Sequence, residues 1–206
     1  MSLQNLLDQD ASLSAIAAHL DALSHAERVV QTTALGRGAQ RKLYYKAAGP
    51  LALTDIVPSS VGDQREVRHV GQNTLPLPGL FRRFEKRFCR PPLDNERLFG
   101  YNEGITRGII GPGFFVTVST IGNKVWFERG PLVVDYYQVP DGPVVPGWPK
   151  VIPNSRGLQM LVYQGTRDFL RKVSAQVTIG AAYKGEKALD HYFTLVRDEA
   201  TALLEK

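Results

Sequence analysis

The chain has 206 residues, of which 43% are hydrophobic and 22% charged, a composition typical of globular proteins. A net charge of +5 permits an anionic partner without requiring one, because the excess is small for this length. No apolar run approaches the roughly 20 residues of a membrane-spanning helix, and the single cysteine, Cys89, excludes an internal disulfide and a cysteine-based zinc site.

The first fifty residues have a helical pattern. Ser12 is a candidate N-cap, and Ser24 followed by Glu27 forms a capping box. We predict a helical N-terminal segment over residues 1–50, either a helical hairpin or three short helices, and a second unit over residues 51–206. The opening residues MSLQNLLDQD lack the basic region of a secretory signal, so we expect a cytoplasmic protein.

The stretch LFRRFEKRFCR, residues 80–90, combines basic and aromatic residues. At about 100° per residue its apolar residues fall on one arc and its basic residues on the opposite arc, whereas both faces of a strand would be mixed. We therefore predict a short basic amphipathic helix at 78–89. It could cover one end of the core or contact a membrane surface. We do not expect nucleic-acid binding, because the aromatic residues lie away from the basic face.

From about residue 95 the pattern changes to short segments rich in β-branched and aromatic residues. Their close spacing favours antiparallel pairing, because parallel pairs need longer crossovers. A closed barrel would bury such a set without open edges, and a β-sandwich is the alternative. The predicted strands are RLFGYN, GFFVTVST, KVWFE, PLVVDYYQV, LQMLVYQG, VTIGAAY and HYFTLVRD.

Polar residues on two of these strands are candidates for a ligand site. Tyr101, Asn102 and Glu103 end one strand, where they could line a pocket mouth and Glu103 could act as an acid or base. The alternative is a turn that leaves Glu103 exposed. Asp135 and Tyr137 share one face of a later strand, and an inward Asp135 would need a buried partner.

The stretch VPDGPVVPGWPKVIPN carries five of the thirteen prolines, so it cannot continue a central strand. We predict a stiff loop over residues 139–153 that carries Trp148 and closes over a pocket as a lid. None of the four histidines has metal-ligand spacing, so no metal site is predicted. His69 and His191 could still meet in space as an acid–base pair.

The run DFLRKVSAQVTIGAAYKGEKALDHYFTLVRD resembles the closing strands of calycin-like bacterial proteins of the GXWXG type. There, an Arg-Lys-Val segment precedes a glycine-containing strand, and the last strand ends in Leu-x-Arg. The chain itself has no G-x-W-x-G motif. The resemblance implies a small up-and-down barrel with an interior cavity for apolar ligands, and no catalytic residues. The matching positions are Leu170, Arg171, Lys172, Val173, Ile179, Gly180, Phe193, Leu195 and Arg197.

These observations predict an α+β fold with N-terminal helices and a mostly antiparallel, calycin- or lipocalin-like β-barrel. The leading hypothesis is non-catalytic binding of a small apolar or amphipathic, fatty-acid-like molecule, with Arg171 or Arg197 pairing an anionic head group. The alternatives are an enzyme with acid–base groups in the barrel, or an interaction protein whose helix 78–89 contacts a partner or, weakly, a membrane surface. No cofactor is identified. The candidate ligand-binding residues are Tyr101, Asn102, Glu103, Asp135, Tyr137, Trp148, Arg171 and His191.

Overall fold

The structure, a computed structural model, describes residues 1–76 and 78–198. The described residues form eight antiparallel strands, each paired with the next, and the last strand pairs with the first to close a barrel. Closure leaves this sheet without a free edge, which confirms the predicted antiparallel barrel and excludes the sandwich. The strands are β1 (Val67–Asn73), β2 (Arg83–Cys89), β3 (Arg97–Glu103), β4 (Phe115–Ser119), β5 (Leu132–Asp135), β6 (Thr166–Lys172), β7 (Val177–Lys184) and β8 (Lys187–Arg197).

The predicted helical segment is confirmed, although residues 1–50 form four helices rather than a hairpin or three. Ser12 caps the second helix through the Ala15 N–H, and Ser24 with Glu27 forms the predicted capping box of the third. Among the described residues, none of the helices combines the length and apolar character needed to cross a bilayer. The four helices are α1 (Leu3–Asp8), α2 (Leu13–Asp21), α3 (His25–Thr33) and α4 (Arg37–Lys46).

Helices α1 to α4 pack against the outer face of the barrel wall. Ile16, Leu20 and Leu43 share a buried apolar cluster with Val177 and Val196 of β7 and β8. A single turn, α5 (Leu53–Ile56), then leads into β1. It closes one end of the barrel, since Leu51, Ile56 and Val57 belong to the apolar cluster of the barrel interior.

The predicted amphipathic helix at 78–89 is wrong over most of its length. Only α6 (Gly79–Arg82) is helical, and Arg83–Cys89 form strand β2. Phe84, Lys86 and Phe88 alternate on the inner face of this strand. Helical periodicity was misleading because Lys86, counted there as a solvated charge, is buried inside the barrel with an exposure of only 1%. The Leu80 side chain lies outside the described part of the chain.

Two segments predicted as strands are short helices instead. KVWFE lies in α8 (Lys124–Arg129), whose start is capped by the Asn123 side chain, which accepts a hydrogen bond from the Trp126 N–H at 3.1 Å. LQMLVYQG contains α9 (Gln159–Val162). A short apolar run by itself does not distinguish a helix from a strand. Here the Asn123 cap favours a helix in the first segment, and the turn before Gln159 favours one in the second. A further short helix, α7 (Arg107–Ile110), lies between β3 and β4.

The proline-rich loop lies on the outer wall of the barrel. The Trp148 ring contacts the Tyr101 ring edge-on with centroids 4.9 Å apart, and its Nε1–H donates to Glu66 Oε2 at 2.7 Å. Val144, Val145 and Trp148 cover a small apolar cluster that includes Phe99. The predicted lid is therefore not formed by residues 139–153, because Trp148 finds its aromatic partner on the wall rather than at an opening.

Candidate functional site

The barrel interior is filled at the α5 end and hollow at the other end. Phe88, Phe115, Leu170 and Leu195 fill the closed half. The hollow half is a cavity of about 360 Å³ that opens where β3 ends and β2 and β6 begin. Its wall is mostly apolar, with Phe84, Tyr163 and Phe193 among the aromatic residues that line it. A cavity of this size and character is typical of sites for small molecules.

Four buried polar side chains form the floor of this cavity: Lys86, Asn102, Tyr136 and Asp168, called here the polar cluster. The Lys86 ammonium donates to Asn102 Oδ1 at 3.0 Å and to the Tyr136 hydroxyl oxygen, and it lies 3.1 Å from Asp168 Oδ2. Each of the three N–H groups of the ammonium thus has one oxygen acceptor. The ammonium is fully satisfied by the protein itself, as a buried charge must be.

Neighbouring strands bring the polar cluster to one level of the barrel. Lys86 of β2 is the register partner of Asn102 of β3. Tyr136 follows directly after β5, and its backbone N–H donates to the Thr166 carbonyl at the start of β6, two residues before Asp168. Asn102 is held in turn by its Nδ2, which donates to the Gly113 carbonyl at 3.0 Å and to the Tyr136 hydroxyl at 3.1 Å.

Aromatic rings surround the Lys86 ammonium. Its nitrogen lies 4.9 Å from the Phe115 ring centroid, 5.0 Å from those of Tyr136 and Phe193, and 5.7 Å from that of Phe84. The negative faces of aromatic rings attract a cation, and more strongly where water is excluded. The rings therefore serve both as apolar wall and as support for the buried charge.

Burial acts on the pKa values of the polar cluster. Removal from water lowers the pKa of Lys86 and raises that of Asp168, while their mutual attraction opposes both changes. Burial also raises the pKa of Tyr136 well above its ordinary value, with the Asp168 charge adding to the effect. The phenol therefore stays protonated and can donate to Asp168 Oδ2 at 3.3 Å. Ion pairs perturbed in this way are candidates for functional sites.

Asp168 retains hydrogen-bonding capacity toward the cavity. Its Oδ2 contacts Lys86 and Tyr136, whereas no hydrogen bond from the described residues ends on its Oδ1. The side chain is 9% exposed and lines the cavity. The donors of Lys86 and Asn102 are already used within the protein. The floor therefore presents an acceptor rather than a donor to any molecule in the cavity.

Three of the residues predicted from the sequence line this cavity: Asn102, Glu103 and His191. Glu103 lies at the mouth, where burial acts to raise its carboxyl pKa. The hydrogen bonds from Arg107 at 2.6 Å and from the Gly104 N–H, together with the charges of Arg107 and Arg87, outweigh burial and hold this pKa below its ordinary value. Glu103 is therefore an ionised side chain paired with Arg107. Burial lowers the pKa of His191, and its Nδ1 has no hydrogen-bond partner among the described residues.

The predicted histidine pair is not formed. His69 is the strand partner of Arg197, and His191 lies six residues before Arg197 in β8, roughly 20 Å along the strand. His69 instead donates from Nε2 to the Ile56 carbonyl at 3.0 Å, at the closed end of the barrel. Among the described residues, no three His, Cys, Asp or Glu side chains come together in the manner of a metal site.

The other predicted residues lie outside the barrel interior. Tyr101 and Trp148 pack on each other at the outer wall. Asp135 pairs with Arg167 at 3.3 Å, and the Tyr137 ring lies 4.1 Å from the Arg167 guanidinium carbon. Since side chains alternate along a strand, the inward position falls to Tyr136.

Arg171 also lies outside the interior, on the face covered by the helices. Its guanidinium donates to the carbonyls of Arg129 at 3.0 Å and Tyr44 at 3.2 Å. The bond to Tyr44 joins helix α4 to the barrel wall, and the bond to Arg129 joins the end of α8 to it. Arg171 therefore cannot pair with a head group in the cavity.

Sequence reasoning missed Lys86, Tyr136 and Asp168. A signal exists for two of them: Lys86 alternates with Phe84 and Phe88, as Asp168 alternates with Thr166 and Leu170. One charge of each sign at a core-facing position of two strands indicates a buried ion pair. The helical interpretation of residues 78–89 hid the first half of this pattern.

No family model, curated protein or solved structure matches this chain. The resemblance of residues 168–198 to calycin-like proteins of the GXWXG type therefore stays a prediction. The cavity and its polar cluster are the features of this protein that indicate a function.

Proposed function

We propose that this protein binds a small amphipathic molecule inside its barrel. The observation that carries the proposal is the cavity of about 360 Å³, with a mostly apolar wall and a buried ion pair as its floor. The apolar body of the ligand would contact Phe84, Tyr163 and Phe193, and its polar end would reach the polar cluster. The calycin-like resemblance supports such a binding role, and the cytoplasmic location expected from the sequence is part of the proposal.

The polar end that best fits this floor is a neutral hydrogen-bond donor such as a hydroxyl group. Asp168 Oδ1 offers an acceptor, while the ammonium of Lys86 already has three partners. Lys86 and Asp168 also cancel each other's charge, so the floor attracts neither a cation nor an anion strongly. A carboxylate would face the Asp168 carboxylate. We therefore favour an alcohol over the fatty acid expected from the sequence.

A competition experiment tests both parts. A fluorescent apolar probe is bound to the protein and displaced by 1-dodecanol or by dodecanoate, which share one chain length. We expect the alcohol to displace the probe at a concentration roughly tenfold or more below that needed for the acid. Its hydroxyl can donate to Asp168, and hydrogen bonds to charged groups contribute roughly 1.5–3 kcal/mol. In Asp168→Asn the preference should reverse, since the freed Lys86 charge would then attract the carboxylate.

The control is Asp141→Asn, which makes the same change at an exposed carboxylate outside the cavity. It should leave the preference unchanged. Failure of the probe and of both competitors to bind would end the binding proposal. Equal competition by alcohol and acid would leave binding intact but refute the assignment of the head group.

The polar cluster also supports a second candidate, an enzyme that uses Asp168 as a proton acceptor. The supporting observation is a carboxylate open to the cavity beside an ammonium group, with burial moving both pKa values toward the neutral forms. Mass spectrometry of the ligand after prolonged incubation separates the two functions. A binding protein returns the compound unchanged, whereas an enzyme returns a product, and Asp168→Asn would abolish its formation.

A further inference from the structure

Exposed apolar side chains are concentrated around the mouth of the cavity. Of the fifteen large apolar residues that are exposed among the described residues, seven lie on α6, α7, α9 and the residues flanking them. Ile109 is 76% exposed and Leu161 69% exposed. Scattered surface apolar residues need no explanation, but a cluster at an opening does. This mouth rim consists of Phe81, Ile105, Ile109, Leu158, Met160, Leu161 and Val162.

The mouth rim is continuous with the cavity. Phe81 and Val162 belong to both, and Ile110, the last residue of α7, lines the cavity next to Ile109. The helices that carry the rim are single turns in the connections β1–β2, β3–β4 and β5–β6, which meet at the same end of an up-and-down barrel. A surface that touches the rim would therefore also face the opening of the cavity.

Exposed cations stand beside these apolar residues. Arg83 lines the mouth, and Lys184 and Lys187 flank the β7–β8 turn at the same end of the barrel. The carboxylates nearby are already paired: Glu103 with Arg107, Glu186 with Arg129, and Asp190 with Arg41. The apolar rim is thus set in a positively charged surface.

We propose that the mouth rim docks on the surface of a lipid bilayer that contains anionic lipid. Apolar side chains can enter the boundary between head groups and acyl chains, while basic side chains remain with the anionic head groups. A second copy of the chain fits less well, because a symmetric contact would bring the same cations face to face. The proposal goes beyond ligand binding, although a docked mouth would let an amphipathic ligand enter from the membrane.

Co-sedimentation with lipid vesicles tests the docking directly, without any cavity ligand. Vesicles of phosphatidylcholine alone are compared with vesicles that also contain phosphatidylglycerol. We expect the protein to bind the anionic vesicles and to lose most of this binding at high salt, because surface charges are screened. Arg83→Gln should weaken binding about fivefold, from roughly 1 kcal/mol per basic residue at an anionic surface.

The rim variant is Ile109→Gln with Leu161→Gln, which we expect to bind at least about tenfold more weakly. Its matched control is Ile121→Gln with Val125→Gln, since Ile121 is 81% exposed and Val125 55%, at the opposite end of the barrel. The control should bind like the unaltered protein. All four positions are exposed, so thermal unfolding should be unchanged in both variants.

Three results would overturn the proposal: no sedimentation with anionic vesicles, equal losses in rim and control variants, or a dimer in solution that disappears in the rim variant. The last would show that a second copy covers the rim. Because displacement of the apolar probe is measured without vesicles, failure of docking is distinguishable from failure of ligand binding.

Discussion

His69 is an ionisable residue buried in the barrel, with no charged hydrogen-bond partner in the part of the chain that the structure describes. Its ring packs edge-on against Phe88 with centroids 4.9 Å apart, and Nε2–H donates to the Ile56 carbonyl at 3.0 Å. Burial lowers its pKa from 6.5 to about 4, and the Arg197 charge adds to this effect while Asp198 and the bond to Ile56 oppose it. His69 is therefore neutral in the folded protein and links α5 to β1.

The stability of the protein should fall as the pH is lowered from 7 toward 4. In this window the unfolded chain protonates His69 near its ordinary pKa of 6.5, while the folded protein does not until about pH 4. The unfolded state then binds more protons, so acid favours unfolding, by at most about 3 kcal/mol from this residue. Urea unfolding at pH 7.0 and 4.5 measures the loss.

His69→Gln keeps a donor for Ile56 but cannot titrate, so its loss of stability over this range should be distinctly smaller. His25→Gln, the same change in the first turn of α3, serves as the control and should behave like the unaltered protein. An unchanged pH dependence in His69→Gln would show that other groups govern acid unfolding.

At the scale of the strands, two glycines make room for the rings inside the barrel. A Cβ atom on Gly100 of β3 would lie 2.3 Å from Phe115 Cε2 and 2.5 Å from the Arg87 backbone oxygen. One on Gly180 of β7 would lie 2.1 Å from Phe193 Cζ. Phe193 also lines the cavity, so Gly180 helps to set the shape of the binding site.

Gly100→Ala should destabilise the fold by about 1–3 kcal/mol or more, because the clash involves backbone as well as a flexible ring. Gly108→Ala is the matched control, since a Cβ there meets nothing within 4 Å. Gly108 lies inside α7, where alanine favours helix, so the control should be neutral or slightly stabilising. The urea concentrations at the unfolding midpoints of the two variants measure these changes in stability. A Gly100→Ala protein as stable as the unaltered one would contradict the close packing of Gly100 against Phe115 and Arg87.

The strand elements also show where sequence periodicity works and where it fails. Strands β3, β4, β5, β7 and β8 carry β-branched and aromatic residues between turn signals and were predicted correctly, whereas β1 and β6 lie outside the segments predicted as strands. Strand β2 was missed, because a lysine on its inner face makes the apolar pattern helical rather than alternating. The partner that makes this lysine tolerable, Asp168, lies far along the chain. The sequence around β2 alone cannot show that compensation.

At the scale of the whole molecule, the N-terminal helices and the barrel share one apolar cluster. Leu20 of α2 and Leu43 of α4 are fully buried against Val177 and Val196 of the barrel. Arg171 adds hydrogen bonds from the wall to the Tyr44 and Ala47 carbonyls. The two parts therefore depend on each other for burial of their apolar faces.

Helices and barrel should consequently unfold in one transition. Far-UV circular dichroism reports the helices, while Trp126 and Trp148 fluorescence reports the barrel, and the two urea curves should coincide. Leu20→Ala should lower the free energy of unfolding obtained from both curves by the same amount, about 2–5 kcal/mol. Its control, the exposed Val30→Ala, should shift neither. A Leu20→Ala protein whose helices melt first, with the fluorescence transition unmoved, would show independent units.

The sequence by itself determined the helical character of residues 1–50, the caps at Ser12 and Ser24, and the antiparallel strands that follow. These are local properties, written in spacing and in capping chemistry. Only the tertiary structure decided which face of each strand is inside, because a shift of one residue exchanges the faces. Barrel closure turned Tyr136 inward and Asp135 outward, and brought Lys86 and Asp168 together from strands that are not neighbours. The polar cluster exists because of that closure, which no local pattern encodes.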